Sequence, residues 1–532
     1  MGQSAEDDGG QEDGLSIECQ MDSKSEISTI QLSVVNNNKP KSDDSKFDFT
    51  STDIEDALEE TGFGKFHLFL ILTCGLILYA VTSECYSIGY ILPAAQCDLN
   101  LSVDDKSLLT SIGFIGVMTT QFIWGFVSDT KGRKNCLIYT LFLTVLFSLG
   151  SCLSPYLWLF LIFRFLNGVT ISCASGTVFA YMGEFLAMKH RQTSIMISCI
   201  FIGLSIFLLP CMAWAVLPLK FSWNIFGFEF LPWRLFILIS SAPTLSACVA
   251  LFFLPESPKY LLQVGRDKEA LKVLRTIHSW NFKNEKFKVK KLNKPESVER
   301  KDNVIVGFLK QIYALFTLKY LKSSLVTCSL QFGTLVASSG LLLWYPDILL
   351  QVSKSTEEAT VCQAISSGNQ FLDSGDDLIE CSNEIGTSIF TQNIYIGVAY
   401  LIGFVINCLG VKRLGIRMLL ILYLISSALA TALLYWVTDK LAIDILYIIV
   451  LAGSGLCVGL VNTAVIDLFP THLRAMAGCV TIFCGRLGSV ISSSIFGHLL
   501  QWNCDITYFL YAFNLLGCAI LSIFIYKRTA AQ

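Results

Sequence analysis

Gly125-Phe126-Val127-Ser128-Asp129-Thr130-Lys131-Gly132-Arg133-Lys134 is a short charged stretch between two apolar runs, 107–127 and 135–153, and that setting decides the fold. Crossing a bilayer takes about 20 mostly apolar residues in a helix, so the stretch reads as a turn joining two membrane spans. Gly125 suits close helix approach and Gly132 a tight turn, while Asp129 can accept from arginines or cap the next helix. The plainer alternative is a turn whose charges only set topology.

The same length rule, applied outward, gives twelve apolar segments. Six lie near 66–95, 107–127, 135–153, 156–179, 194–217 and 233–254, and six near 321–352, 387–409, 418–437, 443–467, 475–500 and 507–526. The composition agrees, since 53% of residues are hydrophobic and 15% charged, against roughly 25% charged in soluble proteins. The expected fold is an all-α membrane protein of twelve transmembrane helices in two six-helix pseudo-symmetric halves. Residues 1–60 form an acidic tail, 61–255 the first half, 256–308 a linker, 309–526 the second half and 527–532 a short tail. The linker holds a helical piece near 268–278 and a basic run at Lys286, Lys288, Lys290, Lys291 and Lys294, a solvated segment or a contact for anionic headgroups.

Loop charges sort into two sides. Lys131, Arg133, Lys134, Lys189, Arg191, Lys412, Arg413, Arg417, Arg474, Lys527 and Arg528 form one set, which the positive-inside tendency assigns to the cytoplasm. The other holds Asp98, Asp104, Asp105, Glu357, Glu358, Asp373, Asp376, Asp377 and Glu380. Both termini are therefore expected on the cytoplasmic side of a plasma or vesicle membrane. The acidic tail has no cleaved-signal pattern, is expected to be disordered to about Lys46, and is a candidate element for a cytoplasmic partner. Of 19 cysteines, Cys97, Cys362, Cys381 and Cys504 fall in outer segments, where Cys362 and Cys381 could pair across one loop. The outer sequon Asn100-Leu101-Ser102 could accept a glycan.

An internal repeat ties the halves. Glu184 and Arg191 follow the fourth segment seven residues apart, and Asp467 and Arg474 follow the tenth at the same spacing, an offset of 467 − 184 = 283. Gly132 and Gly415 share it, since 415 − 132 = 283. The place of Asp129 falls at Lys412, so any carboxylate-based gate is expected mainly in the first half.

The 125–134 loop resembles the signature loop of the major facilitator superfamily. Arg164-Phe165-Leu166-Asn167-Gly168 resembles its fourth-helix motif, Glu184 to Arg191 the loop after it, and Pro255-Glu256-Ser257-Pro258-Lys259-Tyr260-Leu261 the sugar-porter and organic-ion-transporter motif. Closer still, Asp53-Ile54-Glu55-Asp56-Ala57-Leu58-Glu59 with Gly62-Phe63-Gly64, Met212-Ala213-Trp214-Ala215 and Leu343-Trp344-Tyr345-Pro346-Asp347 resemble the synaptic vesicle glycoprotein 2 family and its relatives. That family's namesakes carry a large luminal domain between helices seven and eight; here 354–388 is short. The resemblance implies cytoplasmic ion pairs that lock the halves in an outward-open state. By motif these are Asp129, Arg133, Glu184 and Arg191, with Asp467 and Arg474 as the second-half counterpart.

Charges at bilayer depth cost about 2.5 kcal/mol or more on insertion scales and are usually functional. Glu84 could bind a cation or carry a proton, or merely hold helices together. The resembling family often has an Asp three positions earlier, where Val81 stands here. Arg164, expected near the cytoplasmic half of its span, could pair with a carboxylate or serve packing, and Arg486 is expected to snorkel to the surface. Trp214 and Trp344 are candidate cavity-lining aromatics, or else members of an interfacial aromatic belt, and Tyr345, Asp347 and Asn462 are further cavity candidates; Asn462 stands where the vesicle glycoproteins have an Asp.

With no Walker loop and no zinc-spaced Cys and His cluster, no enzyme activity, cofactor, metal or nucleic-acid partner is expected. The leading expectation is a monomeric secondary transporter moving a small organic solute, whether organic cation, organic anion or sugar, by alternating access. The rival is a transporter-shaped vesicle protein acting in binding or trafficking. A channel is disfavoured by the six-plus-six repeat.

Overall fold

Inside hydrocarbon a backbone finds no water, so helices that satisfy their own hydrogen bonds are the form an apolar run of this length takes. The computed structural model describes residues 53–225, 228–282, 287–293, 312–354, 360–363, 387–469 and 471–525, and within these it omits the side chains of 225, 228, 350, 351, 353, 354, 387–389, 412, 466, 467, 471, 472, 474, 475 and 501. Twelve helices among the described residues are long and apolar enough to cross a membrane. The first six are Lys65–Ala95, Val103–Lys131, Arg133–Cys152, Leu157–Phe185, Met188–Val216 and Pro232–Phe252. The second six are Leu318–Leu349, Phe390–Val411, Arg413–Leu433, Lys440–Val465, Met476–Leu500 and Cys504–Ser522.

Several span ends are set by side chains. Ser102 and Asp105 form a reciprocal capping box at the start of the second span, Asp439 accepts from the Ala442 amide before the tenth, and Asn503 from Ile506 before the twelfth. Two turns rest on left-handed glycines: Gly132 at φ 101° between spans two and three, and Gly415 at φ 78° between spans eight and nine. The glycine part of the expected repeat is therefore present in the backbone, as the same left-handed turn at the same offset.

The first span is two helices, Lys65–Tyr86 and Ile88–Ala95, meeting at Ser87. The longer piece packs on the fourth, fifth and sixth spans, and the shorter on the seventh. The halves meet along the second and eleventh spans and along the fifth and eighth. A Cβ on Gly397 would stand 2.3 Å from the Phe207 Cα, so the fifth and eighth spans touch backbone to side chain-free backbone.

We call the end with Lys131–Lys134 the basic end and the end with Asp98, Asp104 and Asp105 the acidic end. At the basic end a collar covers the first half: helices Ile54–Glu60, Pro258–Gln263 and Asp267–Asn281. Asn281 donates to the Thr61 and Gly62 carbonyls and accepts from the Phe66 amide.

Cys362 is bonded to Cys504, not to Cys381, which lies outside the described residues. The twelfth span opens at Cys504, and folding brings that end to the segment after the seventh span, with Cα atoms 5.5 Å apart. Cys97 is disulfide-bonded too.

Candidate functional site

Glu84 lies in the longer piece of the first span, with its carboxylate buried inside the first half. Oε2 accepts from Ser148 Oγ at 2.9 Å and Asn167 Nδ2 at 3.1 Å, and Oε1 from Thr244 Oγ1 at 3.3 Å. Arg164 Nη1 stands 3.9 Å from Oε2, and both side chains are at most 5% exposed. Four spans thus converge on one carboxylate. Beside it is a cavity of about 20 Å³ lined by Glu84, Cys85, Thr110, Phe114, Arg164 and Asn167 among others, room for about one water.

Arg164 is seven residues into Leu157–Phe185, at the end opposite Glu184, 20 residues further on. The cytoplasmic placement expected for it is therefore corrected: the fourth span runs toward the basic end, and Arg164 enters it from the acidic side. Arg486 does not snorkel. It is ten residues into Met476–Leu500, about 15 Å along the helix, and its guanidinium lies 5.7 Å from the ring centroid of Phe114 on the second span.

At the acidic end Asp347 pairs with Lys106 at 3.1 Å, with side chains 7% and 9% exposed. Lys106 opens the second span and Asp347 closes the seventh, so the pair bridges the halves. Tyr90 donates to Asn393 at 3.1 Å and Thr110 to the Ser493 carbonyl at 3.2 Å across the same seam. Toward the basic end the second and eleventh spans stay in contact through Phe122 and Phe483, with centroids 5.0 Å apart.

The other cavity candidates disperse. Trp214 is 45% exposed, two residues from the end of the fifth span, which is where an amphipathic indole settles at a membrane interface. Trp344 is buried and donates to the Ser493 carbonyl, filling space between the seventh and eleventh spans. Tyr345 is buried against Tyr447, centroids 4.9 Å apart, and Asn462 is partly buried on the tenth span.

The loop that opened the sequence forms a network. Arg133 Nη2 reaches Glu184 at 2.8 Å and Asp129 at 3.2 Å. Glu256 Oε1 accepts from the Arg133 and Lys134 amides at 3.1 and 3.0 Å, placing a carboxylate on the N-terminus of the third span. A Cβ on Gly132 would come within 2.6 Å of that carboxylate, whereas one on Gly125 would meet Cys479 Sγ at an ordinary 3.8 Å. Gly125 is thus not required by contact. Arg191 does not join Glu184: it turns to Glu55 at 3.3 Å, where Lys259 also donates. These pairs stay within the first half and its collar, and the side chains of Asp467 and Arg474 are outside the description. Asn100 is exposed at φ 48°, with the sequon hydroxyl of Ser102 engaged in its capping box.

Sequence reasoning passed over Lys106, Ser148 and Thr244, and gave Glu55, Asn167 and Glu256 no role of their own. Asn167 and Glu256 stood inside quoted motifs; an acidic residue facing a glycine turn before a helix was the available signal for Glu256.

Burial alone would raise the Glu55 carboxyl, but the Lys259 ammonium and the Arg191 guanidinium outweigh it and hold it below the usual 4.5. A depressed carboxyl contributes stability that is present above its unfolded value and lost as pH falls through the folded one. The collar is therefore expected to be as resistant to limited proteolysis at pH 5.5 as at pH 7.5, and to loosen below about pH 4.5. Glu55→Gln should remove that acid step; a step of unchanged size in the variant would assign it elsewhere.

Twelve spans in two like halves, with ion pairs at both ends and a buried charge pair between, make up the major facilitator fold. The chain belongs to the sugar (and other) transporter family, whose pattern matches residues 66–367. It is 29% identical over 322 residues to synaptic vesicle glycoprotein 2C of Mus musculus, covering 55% of this chain and 44% of that protein. The match to synaptic vesicle glycoprotein 2A of Rattus norvegicus is 29% over 321 residues, 56% and 43%. The chain thus matches less than half the length of these relatives. Among solved structures, the major facilitator proton:xylose symporter XylE bound to 6-bromo-6-deoxy-D-glucose superposes with a TM-score of 0.64 at 16% identity, covering 87% of this chain and 96% of that one. A partially occluded inward-open form of the xylose transporter XylE from E. coli also gives 0.64 at 16%, covering 88% and 99%. At that identity the likeness concerns the fold.

Proposed function

We propose that the chain is a secondary transporter carrying a small organic solute by alternating access of its two halves, with the basic end facing the cytoplasm. The Lys106–Asp347 pair carries this reading. It joins the halves at one end, both charges are buried, and parting the halves would return both to water, so hydration offsets much of the lost attraction. Such a contact biases a two-state equilibrium by a few kcal/mol without freezing it. At the basic end, the Asp129–Arg133–Glu184 network is the counterpart available to rearrange.

Lys106→Asp places two carboxylates at the seam and should lower solute flux into proteoliposomes at least tenfold, since like charges at a closed contact cost on the order of 1.4 kcal/mol or more. The swap Lys106→Asp with Asp347→Lys should recover much of it. A swap no better than the single change would remove the pair from the gate. Absence of flux for every solute in a panel of labelled sugars, amines and carboxylates, with folded protein in the vesicles, would overturn transport and leave the binding or trafficking role.

A further inference from the structure

Among the described residues, three charges lie within the spans near one another: Glu84 and Arg164 inside the first half, and Arg486 of the second half against Phe114 of the first. Glu84 and Arg164 face each other, so the layer has a net charge of +2 − 1 = +1. Arg486 forms no ion pair among the described residues. Its neighbour is the Phe114 ring, whose face attracts a cation but supplies no counter-charge. Arg486 Nε and Arg164 Nε and Nη2 find no acceptor among the described residues. The Phe114 ring that Arg486 faces lines the same small cavity as Glu84 and Arg164, so all three charges border one place. Phe114 borders that cavity and Tyr86 stacks edge-on to it, centroids 6.1 Å apart.

We infer that the transported solute is a small organic anion, whose carboxylate or equivalent group is taken by Arg486 when the halves part at this layer. The assignment rests on the transport function proposed above. A guanidinium at bilayer depth is costly to keep unless it meets a partner in the working cycle, and its fork of donors matches a carboxylate in two hydrogen bonds. Glu84 is already held by Arg164 and three neutral donors, which leaves it unsuited to receive a cation. An organic cation would meet a net positive layer, and a neutral sugar would leave Arg486 without a counter-charge. The cavity as it stands admits about one water, so the anion enters with separation of the second and eleventh spans, which carry Phe114 and Arg486.

The test is uptake into proteoliposomes by wild type of labelled short aliphatic and aromatic carboxylates, matched primary amines and hexoses, run beside Arg486→Gln and Arg486→Lys. Folding of each protein is checked by size-exclusion profile. Carboxylates should be carried in preference to amines and hexoses, Arg486→Gln should cut carboxylate uptake about 10- to 100-fold, and Arg486→Lys should retain an intermediate rate. An amine or hexose carried in preference to every carboxylate by wild type overturns the anion assignment and leaves transport standing. Carboxylate uptake by folded Arg486→Gln at the wild-type rate overturns the role of Arg486. No uptake of any solute overturns both.

Discussion

Replacing Glu84 with alanine is expected to cost about 3–5 kcal/mol of stability. Arg164 would stay buried with its counter-charge gone, and Ser148, Asn167 and Thr244 would lose their shared acceptor. The penalty is that of a buried guanidinium left without its counter-charge; the seven residues separating it from the span end put bulk water about 10 Å distant along the axis. Glu84→Gln keeps an acceptor but no charge and should fall between. Glu84→Ala combined with Arg164→Met removes both charges together and should recover most of the loss. Thermal unfolding of the detergent-solubilised protein, followed by loss of its monodisperse peak, measures all three. Equal midpoints for Glu84→Ala and the double variant would mean that the stranded Arg164 charge is not what the single change costs.

The second large effect is steric. A Cβ on Gly168 would stand 2.1 Å from the Gly113 carbonyl oxygen, backbone against backbone, so Gly168→Ala must push the second and fourth spans apart. Overpacking costs about 1–3 kcal/mol where side chains can yield, and here they cannot, so the top of that range or beyond is expected. Gly116, whose Cβ would lie 2.4 Å from the Phe165 carbonyl oxygen, belongs to the same crossing. Gly478→Ala is the control: nothing lies within 4 Å of its Cβ, and alanine in a helix gains up to about 1 kcal/mol over glycine. If the two alanine variants melt together, the crossing is looser than its geometry states.

Much of this architecture was legible in the sequence, and the reason is physical. A span must be long and apolar whatever its neighbours are, so hydropathy alone placed twelve segments within a few residues of the helices. The glycine register was legible because a left-handed turn excludes most side chains; Gly132 and Gly415 mark the same turn in each half. What hydropathy does not encode is azimuth. A residue in an apolar helix faces lipid, a neighbour or the seam with little difference in local pattern, so Trp214, which could line the cavity or sit at the interface, lies outward, while Arg486, expected to reach the surface, lies against Phe114. Partner choice was equally hidden. Glu184 and Arg191 are seven apart, yet Arg133 is nearer to the first and Glu55, in a helix before the first span, to the second. Disulfide connectivity follows the same rule, because Cys362 meets the cysteine that folding delivers, 142 residues away.

Ser87 gives the first span two allegiances: Lys65–Tyr86 rides with its own half, and Ile88–Ala95 lies on the seventh span of the other. Ser87 keeps helical dihedrals, φ −56° and ψ −31°, and its amide still donates to the Ser83 carbonyl, so the span is one rod fastened to two bodies. A tilt of one half against the other therefore has to bend this span or slide it along one of its two partners, within a few residues of Tyr86 and Glu84.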